Sequence, residues 1–305
     1  LNHLAGGRGL RPRILLRLPP GVGAHGHHYI STGQLDSKFG IPIEMGLAAE
    51  AARLALSLPH VELTGFHCHI GSQVLDLKGY GVAAGRMLDF MKRMHEETGF
   101  VTRELNLGGG LGIRYTEADV PPRPADLVRL VAGTVKAGCA ERGLELPMLC
   151  VEPGRSIVGE AGTTLYTIGT IKEIPGVRTY ISVDGGMGDN IRPALYQAEY
   201  ECVVANRLDS PAEKRVTVAG RYCESGDQLL LDAKVAVDVA PGDILAVFAT
   251  GAYNYSMASR YNRYPVPAVV FVKDGQADLV VRRETFADMA SNDLLPERFR
   301  ARVPR

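Results

Sequence analysis

The chain has 305 residues, of which 46% are hydrophobic and 22% are charged, and its formal net charge is zero. This ordinary balance gives no bulk electrostatic attraction to nucleic acid or to an anionic membrane, and no apolar run approaches the length of a membrane span. The five cysteines are widely spaced without a C-x-x-C pair, and no signal peptide is evident, so we expect reduced thiols in a cytoplasmic protein.

The first half of the chain alternates strand and helix patterns. We predict strands at 14–18, 63–70, 104–107 and 148–151 and helices at 44–58, 80–97 and 124–142. Met87, Phe90, Met91 and Met94 recur at helical spacing, which indicates core packing rather than a cofactor site. Four βα units fit either a doubly wound sheet or half of an eight-unit barrel.

From about residue 160 the pattern changes to short β-branched runs separated by turns. We predict strands at 163–171, 177–183, 200–204, 215–219, 244–248 and 268–272. No long helical pattern lies between them, which is typical of a β-sandwich or a β-barrel. The sequence therefore predicts two domains: a partial α/β barrel at 1–160 and an all-β domain at 161–305.

Polar and glycine residues follow the ends of successive predicted strands: His69, Gly108 and Glu152. A barrel builds its active site at these carboxyl ends. The run Gly108-Gly109-Gly110 is either a tight βα turn or a row of backbone N–H groups that closes around a phosphate. Gly71-Ser72 follows the preceding strand and adds a hydroxyl and a further exposed amide.

Two histidines, His67 and His69, lie two residues apart and face the same side of the strand. A metal pair is one interpretation, but no third ligand has suitable spacing, so we predict no metal site. We expect His67 to be packed and hydrogen-bonded, and His69 to stack on a planar cofactor.

The segment Glu152-Pro153-Gly154-Arg155 places a carboxylate and a guanidinium around a Pro-Gly bend. It is either a surface turn with an ion pair or part of a binding site. In a binding site, Glu152 would keep a pyridine nitrogen protonated, and Arg155 would hold a carboxylate with its planar fork.

Three further candidates lie in the second half. Arg192 and Tyr196 are four residues apart, a spacing that by itself favours a salt-bridged loop. Cys223-Glu224 has polar neighbours, which favours an exposed thiol over an inert core cysteine. Tyr253 follows a Gly-Ala turn and serves either packing or a phosphate and substrate contact.

Taken together, these motifs resemble the diaminopimelate decarboxylase family, pyridoxal-phosphate enzymes of the alanine-racemase-like fold type. The matching segments are Tyr29–Gly33, Asp36–Gly40, His69–Gln73, Leu107–Gly110, Glu152–Arg155, Asp189–Asn190, Arg192–Tyr196, Cys223–Asp227, Gly251–Tyr253 and Tyr255–Met257. The resemblance runs almost end to end. It implies the C-terminal half of a pyridoxal-phosphate-binding TIM barrel followed by a β domain, and decarboxylation of meso-2,6-diaminopimelate to L-lysine, the last step of lysine biosynthesis.

The resemblance also implies roles for individual residues. His69 stacks on the pyridine ring, Glu152 pairs with its nitrogen, and Cys223 protonates the carbon that loses CO₂. The cofactor-binding set is His69, Ser72, Gly108, Gly109, Gly110, Glu152, Gly154, Arg155 and Tyr253. The substrate-binding set is Arg155, Arg192, Tyr196, Glu224 and Tyr253. In the family, the Cys-Glu segment serves the partner subunit's site, so a homodimer is implied.

One family feature is missing from the sequence: the lysine that holds the cofactor covalently, in a Tyr-x-x-Lys-Ala-like motif on an early barrel strand. The chain starts with Leu1, and the family's lysine precedes the matching segment, so we expect an N-terminally truncated fragment that is inactive alone. The alternatives are decarboxylation of another basic amino acid or a carboxylated polyamine, and a non-catalytic homologue.

Overall fold

The computed structural model describes residues 1–22 and 38–300, without the side chain of residue 300. The family-like segment at 29–33 and residues 36–37 lie outside the described residues. The chain divides into two compact units, Leu1–Gly162 and Thr163–Arg305. The predicted domain boundary at residue 160 stays a prediction.

The first unit is built from strands that alternate with helices. Its elements are α1 Asn2–Gly6, β1 Arg13–Arg17, α2 Leu47–Ser57, β2 Glu62–His67, α3 Lys78–Thr98, β3 Glu104–Gly109, α4 Pro124–Arg142, β4 Met148–Glu152 and α5 Gly154–Val158. The four strands are parallel and lie side by side in chain order. This is the predicted half of a (β/α)₈ barrel, with each main helix packed behind the sheet.

The core of the first unit lies between the sheet and α2, α3 and α4. Met87, Met91 and Met94 of α3 are almost fully buried, together with Phe90. Phe90 packs edge-on against Phe66 of β2, with ring centroids 5.0 Å apart. The methionine stripe is therefore core, as predicted, because these positions face one side of the helix.

Strands β2 and β3 approach very closely at Gly65. A Cβ atom there would lie 1.7 Å from the carbonyl oxygen of Glu104. By contrast, a Cβ at Gly133 on the exposed side of α4 would meet nothing within 4 Å. The two glycines therefore differ in what they do for the fold.

We expect Gly65→Ala to lower the free energy of unfolding by about 3 kcal/mol or more, because the strands must separate to admit the methyl group. The matched control Gly133→Ala should raise it by about 0.5–1 kcal/mol, since alanine is the better helix former. Urea unfolding of both variants measures these changes. Equal midpoints for the two variants would contradict the close strand contact.

The second unit is dominated by strands, as predicted for the all-β domain. Its elements are β5 Thr164–Ile174, β6 Arg178–Val183, α6 Arg192–Tyr196, β7 Cys202–Val204, β8 Lys214–Ala219, β9 Gln228–Val235, β10 Ile244–Val247, 3₁₀ turns Tyr255–Met257 and Tyr261–Arg263, β11 Val269–Lys273, β12 Gln276–Val281, α7 Phe286–Met289 and α8 Glu297–Arg300.

Six of these strands form one mixed sheet in the order β7-β10-β5-β6-β8-β9. Only β6 and β8 pair in parallel, and the other neighbours are antiparallel. The edge strands β7 and β9 also contact each other, so the sheet is nearly closed. Strands β11 and β12 form a separate hairpin.

None of the helices in the described parts of the chain is long and apolar enough to cross a membrane.

Candidate functional site

The candidate residues of the first unit lie at one edge of its parallel sheet. His69 comes two residues after β2 ends, Gly108 and Gly109 are the last residues of β3, and Glu152 ends β4. The carboxyl ends of parallel strands lie at the same edge, so the structure brings these three segments together.

Glu152 is held through a single carboxylate oxygen. Asn106 Nδ2 donates to Oε1 at 2.9 Å, and His67 Nε2 lies 3.3 Å from the same atom. The Glu152 side chain keeps 54% of its surface exposed, and within the described residues no hydrogen bond is made by its Oε2. The carboxylate is therefore fixed in place with one oxygen available to a ligand.

His67 is packed and hydrogen-bonded, as predicted. Its side chain is only 15% exposed. Burial lowers the pKa of His67, although the Glu152 carboxylate opposes that shift and Arg17 adds to it. A carboxylate can only accept a hydrogen bond. A neutral His67 therefore carries its proton on Nε2, and this N–H donates a hydrogen bond to Glu152.

Protein groups already bond two of the three amides in the glycine run. The Gly108 N–H donates to Asn106 Oδ1 at 2.9 Å, and the Gly109 N–H donates to His69 Nδ1 at 3.2 Å. In this run, the Gly110 N–H donates no hydrogen bond within the described residues, although the Gly110 carbonyl accepts one from the Val74 N–H at 2.8 Å.

Strand packing explains why these positions are glycine. A Cβ at Gly109 would lie 2.0 Å from the carbonyl oxygen of Glu152, and a Cβ at Gly110 would lie 2.0 Å from that of Gly71. The glycine run therefore allows the turns after β2, β3 and β4 to lie very close together. Any contact with a phosphate would be a second role for these residues.

His69 is oriented by this turn. The bond from Gly109 requires Nδ1 to be an acceptor, which places the proton of a neutral ring on Nε2. Burial lowers the pKa of His69, with Arg17 and His67 acting in the same direction. A neutral, fixed imidazole suits the predicted stacking on a planar ring.

Arg155 is not part of an exposed surface turn. It is buried, with 6% of its surface exposed, and its Nη2 donates to Ser72 Oγ at 2.8 Å. Its Nη1 donates to the hydroxyl of Tyr115, which is also buried. The structure therefore joins Arg155 and Ser72, two residues that are 83 positions apart. Gly154 opens the short helix α5 beside them.

Sequence reasoning missed Asn106 and Tyr115. An Asx side chain two residues before a glycine often bonds the chain two residues on, so the pattern Asn106-Leu107-Gly108 carried a usable signal. For Tyr115 the sequence held no comparable signal, because its partner lies 40 residues away.

The second unit holds its own set of candidates around Arg192. Arg192 is buried, and its Nε donates to the hydroxyl of Tyr200 at 2.8 Å. Its guanidinium lies 5.5 Å from the ring centroid of Tyr196 and 5.9 Å from that of Tyr253. Arg192 therefore begins the short helix α6 and lies beside aromatic rings, rather than in a loop.

Tyr253 has a left-handed backbone, with φ of 64°. Bulky residues rarely adopt this conformation, and such strain is often found at functional sites. Its side chain is 48% exposed.

Cys223 is exposed, as predicted, whereas burial raises the pKa of Cys68 and of Cys202 to about 12. The neighbouring Glu224 is also exposed and accepts a hydrogen bond from the hydroxyl of Tyr261. The exposed thiol and the held carboxylate thus lie on one loop.

Across residues 1–22 and 38–300, no three His, Cys, Asp or Glu side chains are grouped as metal ligands.

Comparison with known proteins assigns the family. The protein-family model described as "Pyridoxal-dependent decarboxylase, pyridoxal binding domain" matches residues 2–159. Diaminopimelate decarboxylase from Bacillus subtilis is 52% identical over 281 residues, which are 92% of this chain and 64% of that protein. The Corynebacterium efficiens enzyme of the same name is 46% identical over 295 residues, 95% of this chain and 64% of the relative. The chain thus spans less than two thirds of the length of these relatives.

Solved structures agree with this assignment. Diaminopimelate decarboxylase from M. jannaschii in complex with L-lysine matches with a TM-score of 0.88 and 36% identity, over 97% of this chain and 67% of that one. The Helicobacter pylori enzyme with L-lysine matches with a TM-score of 0.85 and 30% identity, over 95% of this chain and 69% of that one.

A half-barrel of parallel strands followed by a nearly closed β unit defines the alanine-racemase-like class of pyridoxal-phosphate proteins. The chain belongs to the pyridoxal-dependent decarboxylase family. Within that family it is similar to the diaminopimelate decarboxylases.

Proposed function

We propose that the complete protein decarboxylates meso-2,6-diaminopimelate to L-lysine with pyridoxal phosphate. The observation that carries this proposal is the carboxylate of Glu152, which Asn106 and His67 hold at a strand end, together with the buried Arg155 bonded to Ser72. The names of the relatives, and the L-lysine in two of their solved structures, supply the substrate class.

Several groups in the first unit suit this cofactor. A phosphate monoester carries up to two negative charges, and Arg155, Ser72 and the Gly110 amide offer a buried cation and donors to it. We propose that the glycine run and Gly154 allow close approach, that His69 packs on the ring, and that Glu152 bonds the ring nitrogen. When bound, the cofactor supplies an electron sink at the substrate's α-carbon.

We propose that the remaining residues act on the substrate. Diaminopimelate carries two carboxylates and a distal ammonium group, so it needs both cationic and anionic partners. Arg155 and Arg192 would hold carboxylates, Glu224 the distal ammonium, and Tyr196 and Tyr253 would contact the substrate, with the Tyr253 hydroxyl also on the phosphate. Cys223 would give a proton to the carbon that loses CO₂.

We also propose a homodimer in which Cys223 serves the site of the neighbouring subunit. The proposal includes a cytoplasmic enzyme that acts on a small amino acid, with no nucleic-acid or membrane partner. The zero net charge is consistent with it.

The proposal is tested with the purified complete protein and pyridoxal phosphate. Release of CO₂ is measured with meso-diaminopimelate, L-ornithine, L-arginine and carboxylated polyamines as substrates, and L-lysine is assayed as the second product of diaminopimelate. Turnover of diaminopimelate well above the others supports the proposal. Preference for another basic amino acid would move the substrate assignment, and no turnover with any of them would favour a non-catalytic homologue.

Asn106 provides a separate prediction about cofactor binding. Asn106→Ala removes the bond to Glu152 and the bond to Gly108, each worth about 1–3 kcal/mol where the partner is charged or buried. We expect pyridoxal phosphate to bind the variant about tenfold or more weakly, as measured by absorbance titration.

Asn206 is a matched control for this prediction. Its Nδ2 donates to Asp243 Oδ1 at 2.8 Å, and its Oδ1 accepts from the Ile244 N–H at 2.9 Å, so the bonding pattern is the same. Asn206→Ala should lower stability without weakening cofactor binding. Equal weakening by both variants would remove Asn106 from the cofactor site.

A further inference from the structure

The loop that carries Cys223 and Glu224 is hydrogen-bonded to one buried carboxylate. Asp227 is 3% exposed. Its Oδ1 accepts from the Met187 N–H at 2.6 Å, and its Oδ2 accepts from the Tyr222 N–H at 2.8 Å. One side chain therefore links the segment 185–189 to the loop 220–227.

The space around this carboxylate is closed by two glycines. A Cβ at Gly186 would lie 2.6 Å from Asp227 Oδ1, and a Cβ at Gly220 would lie 2.2 Å from Oδ2. Neither glycine can gain a side chain without displacing the carboxylate. By contrast, a Cβ at Gly226, one residue before Asp227, would meet nothing within 4 Å.

Backbone bonds close the loop at both ends. The Gly220 N–H donates to the Asp227 carbonyl at 2.9 Å, and the Asp227 N–H donates to the Glu224 carbonyl at 3.0 Å. The Arg221 N–H donates to the Gly185 carbonyl at 2.9 Å. These bonds add to those of the carboxylate in fixing the backbone of the loop.

The outer side of the loop is held by an aromatic group. Tyr222 stacks on Tyr261, with ring centroids 5.7 Å apart, and the hydroxyl of Tyr261 donates to Glu224. Cys223 thus lies between Tyr222, whose backbone N–H is bonded by Asp227, and Glu224, whose carboxylate is bonded by Tyr261. The thiol is exposed, yet the residues on either side of it are anchored.

We propose that Asp227 is a positioning residue that fixes the loop 220–227 and so aims Cys223 and Glu224. The reason for aiming them rests on the proposed function, but the anchoring itself does not. An ionised Asp227 is suited to this role, because its two oxygens accept hydrogen bonds from two backbone N–H groups and it has no donor that needs a partner.

The test uses Asp227→Asn in the complete protein. Asparagine keeps the shape but turns one acceptor into a donor that faces a backbone N–H. We expect faster hydrogen exchange at the amides of Tyr222 and Met187, and alkylation of Cys223 by iodoacetamide at least threefold faster. In an active enzyme, kcat for decarboxylation should fall at least tenfold.

Asp243→Asn is the control for general destabilisation. Asp243 is also buried in this unit and accepts bonds from Arg207 and Asn206, away from the loop. It should lower thermal stability without changing exchange at Tyr222 or labelling of Cys223. Equal changes in both variants would overturn the proposal, as would unchanged loop exchange in Asp227→Asn.

A glycine pair keeps the test decisive if Asp227→Asn fails to fold. Gly220→Ala should loosen the loop by displacing the carboxylate, and Gly226→Ala should not, because its methyl group meets no atom. Identical exchange in the two variants would overturn the anchoring role. If the proposed function is wrong, the unmodified protein shows no turnover, which is a separate result. If a variant has faster exchange in the loop but a wild-type kcat, Asp227 anchors the loop but does not aim Cys223 and Glu224.

Discussion

Glu152→Gln is expected to lower kcat by about a hundredfold to a thousandfold while the fold is retained. Glutamine keeps an oxygen that accepts the bond from Asn106, so the side chain stays in position, but it loses the negative charge. If Glu152 bonds the ring nitrogen as proposed, that nitrogen would be less protonated in the variant, and the loss would be comparable to removing one preorganised electrostatic partner, about 3 kcal/mol. Steady-state kinetics with saturating cofactor measures it.

Glu62→Gln is the matched control for the loss of charge. Glu62 begins β2, and so lies at the amino end of the same sheet where Glu152 ends β4. Its carboxylate bonds Arg103 on the surface, an interaction of small worth. We expect wild-type kcat for Glu62→Gln. An unchanged kcat in Glu152→Gln would remove Glu152 from the cofactor's electronics.

Cys223→Ala is expected to be nearly inactive, and activity should return when this variant exchanges subunits with Glu152→Gln. If Cys223 serves the neighbouring subunit's site, a heterodimer has one site with both changes and one with neither. Random exchange then leaves about a quarter of all sites intact, given closed two-fold symmetry. Recovered kcat, with exchange followed by co-purification of differently tagged subunits, measures it.

The control mixture combines Cys223→Ala with Glu224→Gln. Both changes lie on the same loop, so every site of the heterodimer receives one damaged loop and no activity should return. Restoration in this mixture as well would point to an artefact of exchange. Without restoration in the first mixture, Cys223 belongs to its own subunit's site or lies outside the chemistry.

Most of the strands and the three long helices α2, α3 and α4 could be predicted from the sequence, because periodicity marks a buried face. Helix α4 has the predicted bounds, 124–142, since Pro124 lies in its first turn and Gly143 at its end adopts a left-handed backbone with φ of 64°. Helix α2 begins at Leu47, three residues later than predicted, because Gly46 is left-handed and breaks the helical backbone.

Two strands were missed, β9 and β12. Strand β12 is exposed along almost its whole length, so neither of its faces shows the alternation that marks a half-buried strand. Strand β9 interrupts its apolar run with Asp232, whose backbone is left-handed with φ of 53°. Both are held by pairing with a neighbouring strand, and a single strand's sequence does not contain that information.

The candidate site was predicted only at the level of residue types. Sequence reasoning gathered His69, Glu152 and Arg155, but it could not show which backbone groups each side chain bonds. Gln73 illustrates the limit: it sits in a motif that suggests ligand binding, yet its amide accepts from and donates to the backbone of Ile113. Such bonds join residues far apart in the chain, and only the folded backbone specifies them.

The close packing of the glycine run separates two kinds of intolerance to substitution. In a library of all single substitutions selected for growth, Gly109 and Glu152 would both be depleted, and the two positions would look alike. In the same library sorted by cellular protein abundance, only Gly109 would be depleted, because its Cβ would collide with a neighbouring strand's carbonyl whereas the Glu152 side chain is half exposed. Comparison of the growth selection with the abundance sorting would therefore distinguish residues needed for folding of the barrel's edge from residues needed only for activity.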